Sequence, residues 1–260
     1  MENKNRVFYG AFFFFAIILI AFVLVPLLRL ITLPSPHLLL SAFKDKSAIA
    51  SIKNSLFYSF ITALISLIFG IPLAFLMAKE RFGKMEKAVE TIVDLPLAVP
   101  HTVAGIALLF VFGRKGVIGS LFYKGFGFKI TGTGIAIVIA MMFVSLPYLV
   151  DSAKDGFKSV DYELEKASSI LGASLFYTFF KIYIPLSSRQ IETGFLLTWA
   201  RAISEFGAVV ILAYYPMTAP VKIYDAFTQY NLAVSTAIAS VLLIICLSIF
   251  LFLRAVINRK

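Results

Sequence analysis

Cysteine occurs once in the 260-residue chain, at Cys246, with two histidines and one tryptophan. A lone thiol excludes a disulfide framework and a cysteine-rich metal centre. His37 and His101 fall in different connecting segments, too few for a histidine-built site, so no metal or other cofactor is expected. Charge is as scarce: 15% of the residues are Asp, Glu, Lys or Arg and only 14 are acidic, against about 25% charged in an average soluble domain. That is too little to clothe the surface of a soluble fold of this length. No Gly-x-x-x-x-Gly-Lys-Ser/Thr loop is present, which excludes a phosphate-loop ATPase within this chain. Gly132 and Gly134 lack the third glycine of a nucleotide fingerprint, Ile137 standing in its place. A cluster of His, Asp or Glu at one depth, which an integral-membrane enzyme needs, is also missing, and no catalytic residue is expected. Neither an internal repeat nor a low-complexity segment is visible.

The bulk of the chain is apolar: 60% of it is hydrophobic and the mean hydropathy is +0.92. A bilayer accounts for the excess, at about 20 apolar residues per spanning helix. Six runs are read as spans, at residues 7–33, 56–78, 92–112, 134–150, 191–213 and 233–257. They are helices rather than strands, because an open sheet leaves its backbone unbonded in lipid and the runs lack barrel alternation. The expectation is an all-α integral membrane protein, one transmembrane domain over 1–260. The first run is too long for the apolar part of a signal peptide, about 7–15 residues, and lacks a small-residue cleavage site, so it is expected to remain as a span. Pro26, Pro72, Pro96, Pro100 and Pro147 predict kinks.

The net charge of +10 does not point to nucleic acid, because the basic residues lie mainly between the apolar runs. With the N-terminus inside, the cytoplasmic segments hold fourteen Lys and Arg, among them Lys4, Arg6, Arg254, Arg259 and Lys260, and the opposite side holds eight. This bias predicts that both termini are cytoplasmic.

One cytoplasmic connection, residues 151–190, is too polar to span and too long for a simple turn. Asp161 is placed to cap a helix, Glu163 suits its first turn, and Leu164, Ala167 and Leu171 share one face. Gly172 breaks that helix. Ser174 caps a second short one carrying Leu175, Phe176, Phe179 and Phe180, which Pro185 is expected to stop. By periodicity alone such a pair could rest on lipid headgroups.

The run from Leu164 to Ser174, followed by Ile182, Ile184 and Pro185, resembles the EAA loop of ATP-binding-cassette importer permeases. Gly172, Ile182 and Pro185 stand at the family's spacing. Lys166 occupies the usual glutamate position, with Glu165 just before it, and Ser168 replaces the second alanine. The resemblance implies a type I importer permease fold whose coupling helices meet the ATPase through Glu165, Lys166, Ala167, Ser168, Leu171, Gly172, Ala173, Ser174, Ile182 and Pro185. The runs Asp94–Gly105 and Ala200–Val209 look like those of the oxyanion branch of that family. Tyr215–Pro220 with Ile223 and Tyr224 is more similar to the molybdate/tungstate permeases than to the sulfate ones. The resemblance further implies a homodimer in the cell membrane, two separate ATPase subunits, an extracytoplasmic oxyanion-binding protein, and transport by alternating access. A sulfate or thiosulfate importer is the alternative. An ion-coupled secondary transporter stands further off, since it needs midplane acidic residues and Glu205 is the one candidate.

Arg201 lies in the fifth run, where insertion of an arginine costs about 2.5–3.5 kcal/mol, so it must face protein or water. Glu205, four residues on, shares its face. The two form either a structural pair or a charged lining of the anion's path, with Pro100, His101 and Thr102 at a helix break beside the pore.

Overall fold

The computed structural model describes the backbone of residues 2–229 and 231–257 and the side chains of residues 8–229, 231–252 and 255. Lys4, Arg6, Arg254, Arg259 and Lys260, which bear on orientation, lie outside the described side chains. Among the described residues there are helices and connections and no strand. In order they are α1 (Glu2–Thr32), α2 (Pro36–Lys44), α3 (Lys46–Ala78), α4 (Glu86–Ala98), α5 (His101–Phe112), α6 (Val117–Phe126) and α7 (Gly134–Lys158). Then come α8 (Tyr162–Ile170), α9 (Leu175–Thr178), a π-helical turn (Phe179–Tyr183), α10 (Ile184–Leu186), α11 (Ser188–Ile203), α12 (Gly207–Leu212), α13 (Ala219–Thr228) and α14 (Leu232–Ile257).

The centre is built on α3, which packs along α7 and α11. Its buried face is made of small residues at helical spacing: Ala48, Ser51, Ser55, Ser59, Thr62, Ala63, Ser66, Gly70 and Ala74. In lipid, where apolar surface gives no drive to associate, small side chains let helix backbones approach and gain dispersion contact. Several hydroxyls are satisfied locally, as where Ser51 Oγ donates to Ala48 O at 2.7 Å and Thr62 Oγ1 to Tyr58 O at 2.8 Å, while Ser66 Oγ is buried without a hydrogen-bond partner among the described residues. By contrast α1 presents exposed Phe12, Phe13, Phe14 and Phe15 and is the least buried of the long helices. Its last turns meet α14, where Ser240 Oγ donates to Leu30 O at 2.7 Å.

Among the described residues, four helices are long and apolar enough to cross a bilayer: Phe8–Thr32, Lys46–Ala78, Gly134–Lys158 and Leu232–Phe252. The third apolar run breaks at Pro100, as its proline predicts, and the fifth is not the single helix read from hydropathy. The third is sharply bent, Gly83–Ala98 meeting His101–Phe112 at 114°. Pro100 causes this break: it pushes Val99 into an extended conformation (ψ 128°) and lies at the head of α5 without an N–H of its own. The fifth stops at Ile203 and restarts at Gly207. Pro26, Pro72, Pro96 and Pro147, also expected to kink the chain, sit inside elements that continue through them.

The two broken elements meet. α12 lies on α5 so closely that a Cβ at Gly105 would stand 3.0 Å from Ala208 Cα, and one at Gly207 would stand 2.7 Å from His101 Cβ. Gly105→Ala is therefore expected to force α5 and α12 apart and cost about 1–3 kcal/mol, whereas Gly10→Ala, with nothing within 4 Å, changes nothing. Melting in detergent, read as loss of the monodisperse species on size exclusion, compares the two.

Candidate functional site

Two sites emerge, one in the connection between α7 and α11 and one at the helix breaks. In the connection the expected caps form: Asp161 Oδ1 accepts from Glu163 N at 2.9 Å and Ser174 Oγ from Tyr177 N at 3.2 Å. Gly172 turns the chain between α8 and α9 at φ +81°, a left-handed value that a residue with a Cβ adopts only under strain. The two helices are clasped by Ser168 Oγ and Thr178 Oγ1, 2.8 Å apart and both buried. Here the serine that stands in for alanine becomes a fastener. The opposite face is bare and apolar: Ile170 is 78% exposed and Leu171 87%. Leu164, Ala167, Leu171, Gly172, Ala173, Ser174 and Ile182 line an open cleft of about 800 Å³. Lys166 points outward and pairs loosely with Glu163 at 3.6 Å.

Pro185 does not stop the second helix as expected. The chain stays helical to Leu186 through the π turn at Phe179–Tyr183, which sits just before Pro185, where the missing N–H leaves Lys181 O without its usual donor. The turn buries Tyr183 completely, among Phe75, Phe157 and Phe179. Its hydroxyl donates to Glu165 Oε2 at 2.6 Å. Lys79, just past the end of α3, donates to both Glu165 Oε2 and Tyr183 Oη, and its Nζ lies 4.3 Å from the Tyr183 ring centroid. Burial works to raise the Glu165 carboxyl, but the hydrogen bonds from Lys79 and Tyr183 outweigh it and hold the group below its ordinary 4.5. Burial likewise works against the Lys79 ammonium, yet the same partners keep it above 10.5. The pair thus contributes in full between those two values. It fades as pH falls through the lowered Glu165 value or rises through the raised Lys79 value.

At the second site the structure brings Arg201, Glu205 and His101 together. Arg201 Nη2 lies 2.8 Å from Glu205 Oε2 and 2.8 Å from His101 Nε2, and His101 Nδ1 is 3.7 Å from Glu205 Oε2. The other Glu205 oxygen accepts the Ala208 N–H at 2.8 Å. A carboxylate 1% exposed therefore closes the open amide end of α12 and neutralises an arginine at once. Pro100 and Thr102 flank His101 at the head of α5, and the histidine side chain is 46% exposed, so the cluster opens on one side. Among the described residues no group of three or more His, Cys, Asp and Glu is placed to hold a metal.

Residues 70–260 match the family described as the binding-protein-dependent transport system inner membrane component. The chain belongs to this family. It is 41% identical to the molybdate/tungstate transport system permease protein of Thermococcus kodakarensis over 93% of each chain, and 39% identical to that of Pyrococcus furiosus over 100% of this chain and 98% of the other. A probable sulfate transport system permease protein of Chlorella vulgaris is 34% identical, with 84% and 83% covered. In fold it matches a chain of a bacterial ABC transporter involved in the import of the acidic polysaccharide alginate, with a TM-score of 0.77 at 18% identity, over 99% of this chain and 96% of that one.

As a member of a family of membrane transport components, this permease has two sites of different legibility. Hydropathy and caps foretell the helix–glycine–helix loop and the Arg201–Glu205 pair. They do not foretell Lys79 and Tyr183, which lie 86 and 18 residues from Glu165 and carry no local signal. Arg201→Met should leave the Glu205 charge buried and unpaired, losing about 3–5 kcal/mol and with it the yield of folded protein. Adding Glu205→Gln, which keeps an oxygen for Ala208 N, should restore most of both, as read by melting in detergent.

Proposed function

We propose that the chain is the membrane-spanning permease of an ATP-binding-cassette importer for molybdate or tungstate. Two copies form the path, two separate ATPase subunits power it, and an extracytoplasmic binding protein delivers the anion. Six spans, with the bent third run and the interrupted fifth each counted as one crossing of the cell membrane, would leave both termini on one side, and the bias of Lys and Arg supports the cytoplasmic side. The observation that carries this proposal is the α8–Gly172–α9 loop. It turns bare apolar side chains away from the rest of the chain, as a docking surface for another protein would. ATP binding draws the two ATPases together, the loops move with them, and the halves open outward; hydrolysis resets the inward-facing state. The identity to molybdate/tungstate permeases, above that to the sulfate permease, supports the choice of anion.

In the path we place Arg201 with Pro100, His101 and Thr102 around it. Glu205 offsets part of the arginine's charge, so a divalent oxyanion meets an attraction that it can leave again. Glu205 is engaged by both Arg201 and Ala208 N, which leaves it poorly suited to bind a coupling ion and argues against a secondary transporter.

Co-expression with an ATPase subunit and purification on that subunit should recover the permease, and proteoliposomes of the complex should accumulate molybdate or tungstate only with ATP. Failure to copurify would overturn the assignment. In a Cys246-free background, the Ser169→Cys variant should react with impermeant maleimide from the cytoplasmic side alone. Gly172→Val, strained by roughly 1–2 kcal/mol at its positive φ, should lower stimulated ATP hydrolysis and uptake together. With assembly restored, the Arg201→Met, Glu205→Gln double variant should hydrolyse ATP yet move oxyanion slowly, because the lost positive charge is not returned. Uptake at the normal rate would remove Arg201 from the path.

A further inference from the structure

The coupling loop is weakly bound where it should be strongly bound if it only had to be held in place. Of the nine residues of α8, Ser168 alone is buried, and Ser168 bonds to α9 within the same loop. The grip of α8 on the helices beyond the loop runs instead through Glu165, whose Oε2 takes Lys79 and Tyr183 together. Lys79 comes directly after α3. Tyr183 is the last residue of the π turn and is wedged among Phe75 of α3, Phe157 of α7 and Phe179. π turns interrupt the helical ladder at some cost and recur at functional positions, and this one sets the tyrosine hydroxyl between the two charges.

From that joint α3 runs through the centre of the molecule to a second polar attachment at its far end. Ser55 Oγ accepts from Ala219 N at 2.8 Å, and Asn54 Nδ2 donates to Met217 O at 2.9 Å. Met217 belongs to the connection that leaves α12, the half-helix capped by Glu205, and Ala219 opens α13. Lys79 and Ser55 are 24 positions apart in sequence, about 36 Å of helix at roughly 1.5 Å per residue.

We infer that the Lys79–Glu165–Tyr183 triad is the joint through which displacement of the coupling loop is handed to α3, and through α3 to the α12 connection on the far side. The inference rests on the proposal that the loop docks an ATPase. Glu165 is then a positioning residue turned inward and does not contact the ATPase. A helix lengthens very little under load, so a loop fastened to its end moves the far end as well. A loop fastened only through its own flexible flanks would absorb the motion. The triad's charges suit this duty, because the ion pair stays fully formed across the neutral range while the tyrosine fixes its geometry.

The test uses the complete complex, permease with its ATPase and molybdate-loaded binding protein, in proteoliposomes. Glu165→Gln and Lys79→Met should copurify the ATPase in normal amounts and hydrolyse ATP, yet take up about ten-fold less molybdate per ATP hydrolysed. Tyr183→Phe, which keeps the packing and loses the bridge, should show a smaller loss of the same kind. The exchanged pair, Lys79→Glu with Glu165→Lys, should regain coupling, because the hydroxyl can serve either order of charges. A merely structural role would lower yield and melting temperature and leave uptake per ATP unchanged, and that result would overturn the inference. Loss of the ATPase from Glu165→Gln while wild type retains it would also overturn it, making Glu165 a docking contact. Absence of the ATPase from the wild-type preparation would instead remove the docking proposal beneath it.

Discussion

Within a bilayer no water is present to bond a stray amide or carbonyl, so every interruption of a helix must bring its own partners. Glu205 meets that demand at the break between α11 and α12. One oxygen takes the Ala208 amide and the other takes Arg201. Much of the centre depends on this arrangement. Because the amide end of α12 is closed, the half-helix can leave the line of α11 and lie on α5, where Gly105 and Gly207 permit contact of backbone on backbone. Because the arginine is neutralised on the spot, it can remain at depth beside His101. A structural role and a role in the path therefore cease to compete. Glu205 is structural in what it bonds, and the same geometry keeps a positive group at the one place where two broken elements meet.

The molecule divides its interactions by mechanical duty. Along α3, α7 and α11 the contacts are close-packed, the small residues of α3 letting the larger side chains of α7 and α11 seat against it, a geometry that resists shear. Around α8 the reverse holds: its outward face is bare, its inner face is sparse, and directed polar bonds from Glu165 and Ser168 hold it beside the aromatic pocket that seats Tyr183. Directed bonds keep two parts in register while allowing both to move together. Apolar packing of the same strength would have fixed the loop to one position.

Much of this was legible in the sequence because the signals are local. Long apolar runs predict helices in lipid whatever surrounds them, and Asp161, Gly172 and Ser174 act within a turn or two of their own positions, so the helix–glycine–helix loop could be placed to the residue. The four-residue spacing of Arg201 and Glu205 likewise announced a pair. Pro100 announced a break in the third run, but hydropathy could not say that it bends by 114° or that the fifth breaks at Glu205. An apolar run reads the same whether straight or bent, and what bends it is a proline in one case and a side-chain acceptor in the other. Pro185 misled for a related reason, since its missing N–H can be absorbed by a π turn when Tyr183 has an aromatic pocket to fill. Lys79 and Tyr183 became parts of a site only when α3 and the π turn were brought beside residues 18 to 104 positions away in the chain. Local order determined which helices form and where they are capped. The tertiary structure alone decided which charges are neutralised and by whom, because a buried charge is satisfied by what lies next to it in space.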